Sequence, residues 1–441
     1  MSTIKRKLLQ NLLKWKNAKK HKPLILRGAR QTGKTFLVRE LAKEFKSFLE
    51  INFEKDKLSK TIFESENAPK DIVHKISIHS GQTIIKGETL LFLDEIQESP
   101  ESIKKLRYFY EEMPELHVIA AGSLLDFALE AVGVPVGRVE FLHLYPVSFL
   151  EFLESTQNQL LAEEVLKQRI WDDKCVPLGE ALHQKAMRLW MSYMAVGGMP
   201  EAVVTFLETK NFAEILTVHK QISYSYEQDF HKYARTAKIK YVDIIYKSVP
   251  RLLGHKFKYA HVSDEYAARE LSAALDLLVK ANVVIKIHHT SGNGIPLASE
   301  VNVSKFKTIL LDVAISQNIL GNDYLRWEIE GIQFLVNKGF MVESFVGQEL
   351  ACYQDSDRRS ELFYWHRESK SSNAEVDYLI NREEKIIPIE VKSGRARSAK
   401  GLQIFLEEKK KNHTAVMISS SDFEKRGRVI NIPLYAVASL F

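Results

Sequence analysis

The stretch "LILRGARQTGKTFLVRELAKEF", residues 24–45, constrains the fold of this chain more than any other. A short apolar strand leads into Gly28-x4-Gly33-Lys34-Thr35, and Phe36, Leu37, Leu41 and Phe45 then recur at helical spacing. A strand that turns through such a loop into a helix points successive backbone N–H groups, and the positive helix end, at one spot. Phosphate is the ligand that suits this cradle. Gly28 and Gly33 permit the tight wrap, and Ala29, Arg30, Gln31, Thr32 and Phe36 complete it. Lys34 reaches the β- and γ-phosphates, and Thr35 offers a hydroxyl to Mg²⁺. ATP with Mg²⁺ is the expected cofactor pair.

A phosphate loop needs a carboxylate strand beside it, and "LLFLDEIQ" (90–97) supplies an apolar run ending in Asp94 and Glu95. Asp94 is expected to hold magnesium and Glu95 to polarise the attacking water. An acid pair ending a strand also serves as a helix cap, but the strand–helix order after the loop favours the catalytic role. "HVIAAGSLL" (117–125) places Ser123 at the end of the next strand, either against the γ-phosphate and its water or as a helix N-cap.

These runs, with "FLEINF" and "FLHLYPV", alternate with amphipathic stretches between 24 and 147, the pattern of a parallel sheet covered by helices. Residues 148–235 read as an all-helical lid broken at "GGMP". Residues 236–318 read as helices followed by a hairpin, a winged-helix-like connector, and 319–441 as a further α/β module. The predicted class is α/β with domains 1–147, 148–235, 236–318 and 319–441. At 441 residues and 45% hydrophobic, the chain can bury several cores. Cys175 and Cys352 are too few for a disulfide framework or a zinc cluster, and no run of about 18 apolar residues occurs, so a cytoplasmic protein with no membrane segment is expected. The basic start, with Leu8, Leu12 and Trp15 at helical spacing, predicts an amphipathic packing helix. A charge of +6, from 62 basic and 56 acidic residues, permits a polyanionic partner without demanding one.

The phosphate-loop and acid-pair motifs together resemble the AAA-type ATPases, specifically a bacterial family whose loop reads "GARQTGKT" and whose acidic strand ends "LDEIQ". The resemblance spans roughly residues 5–230, including "YMAVGGMPEAV". It implies ATP hydrolysis and, from Arg138 in "PVGRVEFLHL", an arginine reaching a neighbouring subunit's nucleotide in a homo-oligomer. Pairing of Arg138 with a surface acid is the alternative.

Far downstream, "IIPIEVKSG" (386–394) sets Glu390 and Lys392 on one face of a strand. E-x-K alone says little, since it recurs at Glu44 and Glu208, so context decides. "AEVDYLI" (374–380) precedes it, with Val376, Tyr378 and Ile380 expected on one face and Glu375 with Asp377 on the other. A turn through "NREE" would set Asp377 opposite Pro388 and one diagonal from Glu390. Oxygen ligands of this kind suit Mg²⁺ or Mn²⁺, with Lys392 orienting or deprotonating water. The upstream helix offers Glu343 or Glu349 as a third acid. A helical Glu, Asp377 and Glu390-x-Lys392 resemble the PD-(D/E)xK nuclease superfamily, whose restriction-endonuclease-like core implies a helical acid, best matched by Glu343, and cleavage of DNA or RNA. Arg395, Arg397 and Lys400 are candidates for phosphate contacts. The competing reading keeps the scaffold to recognise a protein partner without catalysis.

Overall fold

The computed structural model describes residues 4–66, 68–123, 125–133, 137–168, 170–172, 175–233, 236–321, 338–367, 374–395, 399–410 and 414–441. Strands β1 (Leu24–Arg27), β2 (Ser47–Asn52), β3 (Thr89–Asp94), β4 (His117–Ala121) and β5 (Glu140–His143) form a five-stranded sheet in the order β2-β3-β4-β1-β5. Every pairing in it is parallel. β3 and β4 are buried along their whole length. That is why their sequences run as continuous apolar residues instead of alternating.

Helices cover both faces. On one, α1 (Leu8–Lys16) and α2 (Lys34–Ala42) pack Leu8, Leu12, Trp15, Leu37 and Leu41 against β1, β3 and β4. On the other, Phe63, Ile72, Ile76, Leu106 and Phe109 from the helices Lys57–Ser65, Pro69–Ser80 and Pro100–Glu112 form a second core. Trp15 donates through Nε1 to the Lys22 carbonyl at 2.8 Å, and His21 stacks on His117 at 3.9 Å, fixing the N-terminal helix to the end of β4.

Between residues 149 and 233 the described elements are the helices Phe149–Ser155, Gln159–Leu166, Glu180–Val196, Pro200–Thr209 and Phe212–Tyr233. After the helices Thr236–Ser248 and Ala268–Lys280 comes a hairpin of β6 (Val284–Thr290) and β7 (Val301–Leu310). This hairpin is not the wing of a separate unit. It completes an eight-stranded mixed sheet with β8 (Leu362–His366), β9 (Glu375–Arg382), β10 (Lys385–Val391), β11 (Ala415–Ser419), β12 (Glu424–Arg426) and β13 (Val429–Pro433), in the order β12-β13-β11-β10-β9-β8-β6-β7. β6 lies parallel to β8, so the sheet crosses the boundary expected at 318/319. An unpaired β6 edge would leave a row of backbone groups without partners, and "LFYWH" satisfies it.

Two local expectations about β9 are corrected. Its strand runs on through Asn381 and Arg382, and only Glu383 and Glu384 turn, with Glu383 left-handed at φ 52°. Pro388 therefore faces Leu379, Ile389 faces Tyr378, and Asp377 comes across from Glu390 instead of Pro388. All four turn residues are polar, so polarity could not mark where the strand ends. The second correction is a bulge. Phe363 pairs with Leu379 but Trp365 pairs with Val376, leaving Asp377 and Tyr378 opposite Tyr364 alone. Val376 consequently joins Leu402 and Phe405, while Tyr378 and Ile380 join the core on the other face. Such an extra residue breaks the two-residue alternation and re-aims a side chain.

Candidate functional sites

In the phosphate loop, Gly28 sits at φ 149°, and a Cβ there would lie 2.3 Å from the Leu144 carbonyl oxygen. Gln31 is also left-handed at φ 63°. Lys34 begins α2, is buried, and donates through Nζ to the carbonyls of Gly28 at 3.0 Å and Ala29 at 2.8 Å. Burial lowers its ammonium to about 8, against the pull of Glu95 and Asp94. Thr35 Oγ1 donates to Asp94 Oδ2 at 3.1 Å. Asn52 Nδ2 reaches the same oxygen at 3.4 Å, and the Glu95 amide donates to Oδ1 at 3.1 Å. Burial and the adjacent Glu95 raise the Asp94 carboxyl. A hydroxyl and a carboxylate meeting at one point are the oxygen donors that Mg²⁺ takes.

Glu95 is held left-handed at φ 50°, and Gln97 Nε2 donates to its Oε2 at 2.5 Å. A Cβ on Gly122 would lie 2.0 Å from Gln97 Oε1, so that glycine opens the space Gln97 fills. Ser123 follows it, buried at the C-terminal end of β4 beside β3. Phe36 is exposed on α2. Arg138 precedes β5, at the opposite end of the strands from the loop of its own chain, and its Nε pairs with Glu111 at 2.9 Å. It therefore does not serve its own phosphate loop.

Sequence reasoning missed the groups that clamp this loop. Arg6 donates through Nη1 to the Thr32 carbonyl at 3.0 Å, through Nη2 to the Tyr145 carbonyl at 2.6 Å, and through Nε to Glu151 at 3.2 Å. Arg30 pairs with the buried Asp229 of the lid, and Tyr226 Oη donates to the Arg30 carbonyl at 2.8 Å. The "GGMP" turn brings Pro200 alongside Gly33, while the Gly198 amide donates to Asp312 at 2.6 Å. A lone arginine or aspartate in a helical run carries no spacing signal, so only the fold reveals these partners.

At the other site, the Val391 amide donates to Asp377 Oδ2 at 2.8 Å, and Lys392 Nζ donates to Glu390 Oε1 at 2.5 Å. Glu390 Oε2 is buried without a partner. Of the two helical candidates, Glu343 joins this cluster. Glu349 lies apart, accepting from the Phe149 amide at 2.9 Å and the Tyr353 hydroxyl at 2.7 Å. Lys307 on β7 was not anticipated. Only 2% exposed, its Nζ sits 2.8 Å from Glu343 and 2.5 Å from Glu375. Its only sequence signal is a basic residue inside the apolar run "FKTILL".

Burial, with Glu343 and Glu390 nearby, drives the Asp377 carboxyl well above its ordinary range, and burial raises Glu390. Burial acts to lower Lys392, but the bond and charge attraction to Glu390 outweigh it, and the net shift is upward. Among the described residues no group of three or more His, Cys, Asp or Glu is arranged to hold a metal ion, and Glu343 is paired with Lys307. The carboxylates of Asp377 and Glu390, with one orphaned oxygen, remain a two-acid donor set. Arg395 and Lys400 flank it, and Arg397 lies outside the described residues.

Residues 20–153 match the family model of an AAA domain. This part of the chain is similar to an AAA domain, and its strand–loop–helix geometry agrees with that match. Residues 187–326 and 338–436 match two further models, each described as a domain of unknown function (DUF8612 and DUF4143). No curated protein sequence matches the chain. Among solved structures, the Walker-type ATPase of Pyrococcus abyssi is similar at 16% identity and TM-score 0.45, over 72% of this chain and 96% of its own. The Aeropyrum pernix ORC1 protein, solved in complex with DNA, is similar at 11% identity and TM-score 0.28, over 72% and 92%. A Thermotoga maritima RuvB variant follows at 16% identity and TM-score 0.30, over 63% and 87%. With all three TM-scores below 0.5, the assignment rests on the domain match and the loop geometry. No helix among the described residues is long and apolar enough to cross a membrane.

Proposed function

We propose that this AAA domain hydrolyses ATP and couples turnover to metal-dependent phosphodiester chemistry on DNA or RNA at Asp377, Glu390 and Lys392. The observation that carries the second half is the acid pair on the adjacent strands β9 and β10, Asp377 feeling the charge of Glu390, with Glu390 Oε2 buried and unpartnered. Buried acids left this close are costly unless a cation joins them. Mg²⁺ or Mn²⁺ held by Asp377 and Glu390 would supply charge neutralisation for the phosphodiester. Lys392, held protonated by Glu390, orients charge at that site in preference to removing a proton from water. At the first site Lys34 binds the phosphates, Thr35 and Asp94 would hold Mg²⁺, and Glu95, aimed by Gln97, polarises water. Arg138 is proposed to act on a neighbouring subunit's nucleotide in a homo-oligomer.

A short relay supports coupling. Arg6 touches both the Thr32 carbonyl and Glu151. Glu151 and Ser148 form a capping box on the helix Phe149–Ser155, whose first amide is held by Glu349. Glu349 shares the helix Gly339–Tyr353 with Glu343. A shift of the phosphate loop thus reaches the acid cluster through packed, hydrogen-bonded groups.

Incubation with plasmid and single-stranded DNA, Mn²⁺ and ATP tests the reading, with Asp377→Ala and Lys392→Ala alongside. Wild type nicks and both variants do not; equal inactivity of all three with ATP hydrolysis intact refutes the cleavage half. One observation favours a second reading, a nucleotide-switched module that recognises a protein. Lys307 already neutralises Glu343 and Glu375 without a metal. Capture of a protein that depends on ATP state, with no salt-sensitive nucleic-acid binding, decides for it.

A further inference from the structure

A cleft of about 660 Å³ lies between the helix Glu180–Val196 and the segments that follow β10 and β11. Its walls belong to different parts of the chain. His183 joins them, sharing hydrogen bonds with Tyr435 Oη at 3.0 Å and the Ser420 carbonyl at 3.1 Å. The Ser420 amide in turn donates to the Gly394 carbonyl at 3.2 Å, two residues beyond Lys392.

The charges lining the cleft are not equally free. Asp422 is consumed by the amides of Leu178, Gly179 and Phe423 at 2.8–3.2 Å. Glu180 accepts from Gln184, and Arg426 is tied to Glu424 at 2.7 Å. Arg188 and Arg395 face the same space from opposite walls, both exposed, and neither forms an ion pair among the described residues. Arg188 and Arg395 are thus the lining guanidiniums not tied to an acid among the described residues, and with Arg426 paired they balance the carboxylates of Glu180 and Asp422, which neutral N–H donors hold in place. Met187 and Met191 give the cleft an apolar floor that adapts to different shapes.

We propose that this cleft binds the phosphate backbone of a single strand of nucleic acid, with Arg188 and Arg395 on successive phosphates and the methionines under the bases. The proposal rests on the nucleic-acid reading above and adds to it the class of substrate and the residues that hold it. Guanidiniums match phosphate oxygens two at a time. The volume falls in the range of about 300–1,000 Å³ typical of sites that enclose a compact ligand. One flexible strand can enter such a space, whereas a duplex is stiff over about 50 nm and cannot bend into it. Arg395 follows Lys392 by three residues, which ties the cleft to the strand that carries Glu390.

The test is fluorescence anisotropy on the full chain in EDTA, with a labelled 12-nucleotide single strand, the matching duplex and a salt series. The wild type is expected to bind the strand at least tenfold tighter than the duplex. Arg188→Ala with Arg395→Ala is expected to weaken strand binding at least tenfold and to make the slope of log K against log salt shallower by about 1.4, at about 0.7 per phosphate contact. ATP hydrolysis is the folding control. Equal binding by the double variant, equal binding of the duplex, or competition by inorganic tripolyphosphate as effective as that of unlabelled strand overturns the proposal. Nicking by wild type with unaltered binding in the double variant refutes the cleft but not the acid site. Arginine-dependent strand binding without any nicking does the reverse.

Discussion

Replacing Lys307 by Met removes the buried cation that sits between Glu343 and Glu375 while keeping the stem volume. The loss leaves Glu343 and Glu375 without their shared partner, and Glu343 is near Asp377, whose own carboxyl burial already drives upward. Breaking a buried pair by deleting one partner costs about 3–5 kcal/mol. With about 2–4 °C per kcal/mol for a large domain, the expected loss in Tm at pH 7.5 is about 6–20 °C. The sign with pH follows from the acids. Lys307 pulls the Asp377 carboxyl down against burial, so without it the folded pKa of Asp377 lies still further above the unfolded one, and the penalty is full at neutral pH and shrinks as pH falls and the acid protonates. Differential scanning fluorimetry at pH 7.5 and 5 measures this. Added Mn²⁺ distinguishes the two functional readings: if the acids are metal ligands it restores about 2–3 kcal/mol at a hundredfold excess over its Kd. A variant that melts within 1 °C of wild type at pH 7.5 refutes the neutralising role of Lys307.

Further outcomes follow from the AAA domain. Glu95→Gln is expected to retain ATP binding and lose hydrolysis by about 10²–10⁴-fold, as for removal of a general base, measured by phosphate release against fluorescent-nucleotide titration. Gly28→Ala is expected to abolish nucleotide binding, since its Cβ meets the Leu144 carbonyl at 2.3 Å, and unchanged titration would contradict the loop geometry. His21, stacked on His117, has its imidazole lowered to about 4 by burial and its neighbour. Its folded pKa lies below the unfolded value of about 6.5, so its neutral form supports full stability above pH 6.5 and progressively less down to about 4. His21→Phe is expected to flatten the acid side of the Tm–pH curve, and an unaltered slope would count against the stack.

How much could be read directly differs between the two sites. The phosphate site is local: Gly28, Lys34 and Thr35 lie within eight residues, and the strand–loop–helix geometry that makes them a cradle is written in their spacing. Asp94 was legible for the same reason, because an apolar run that stops at an acid marks the end of a buried parallel strand. The groups that hold this loop, Arg6, Asp229 and Tyr226, were not, because contacts between residues 26 to 199 apart leave no periodic trace.

The acid–lysine site shows the same division more sharply. The local period of a strand determined that Glu390 and Lys392 point the same way. The turn after Arg382 and the bulge at Asp377 decided what stands across from them, and both depend on backbone pairing that polar side chains leave open. Lys307 enters from a hairpin with its own place in the sequence, brought beside Glu343 only because the β6 edge needs a partner strand. Short-range stereochemistry is encoded residue by residue, whereas the electrostatic balance of a buried site is settled by which distant elements the sheet brings together.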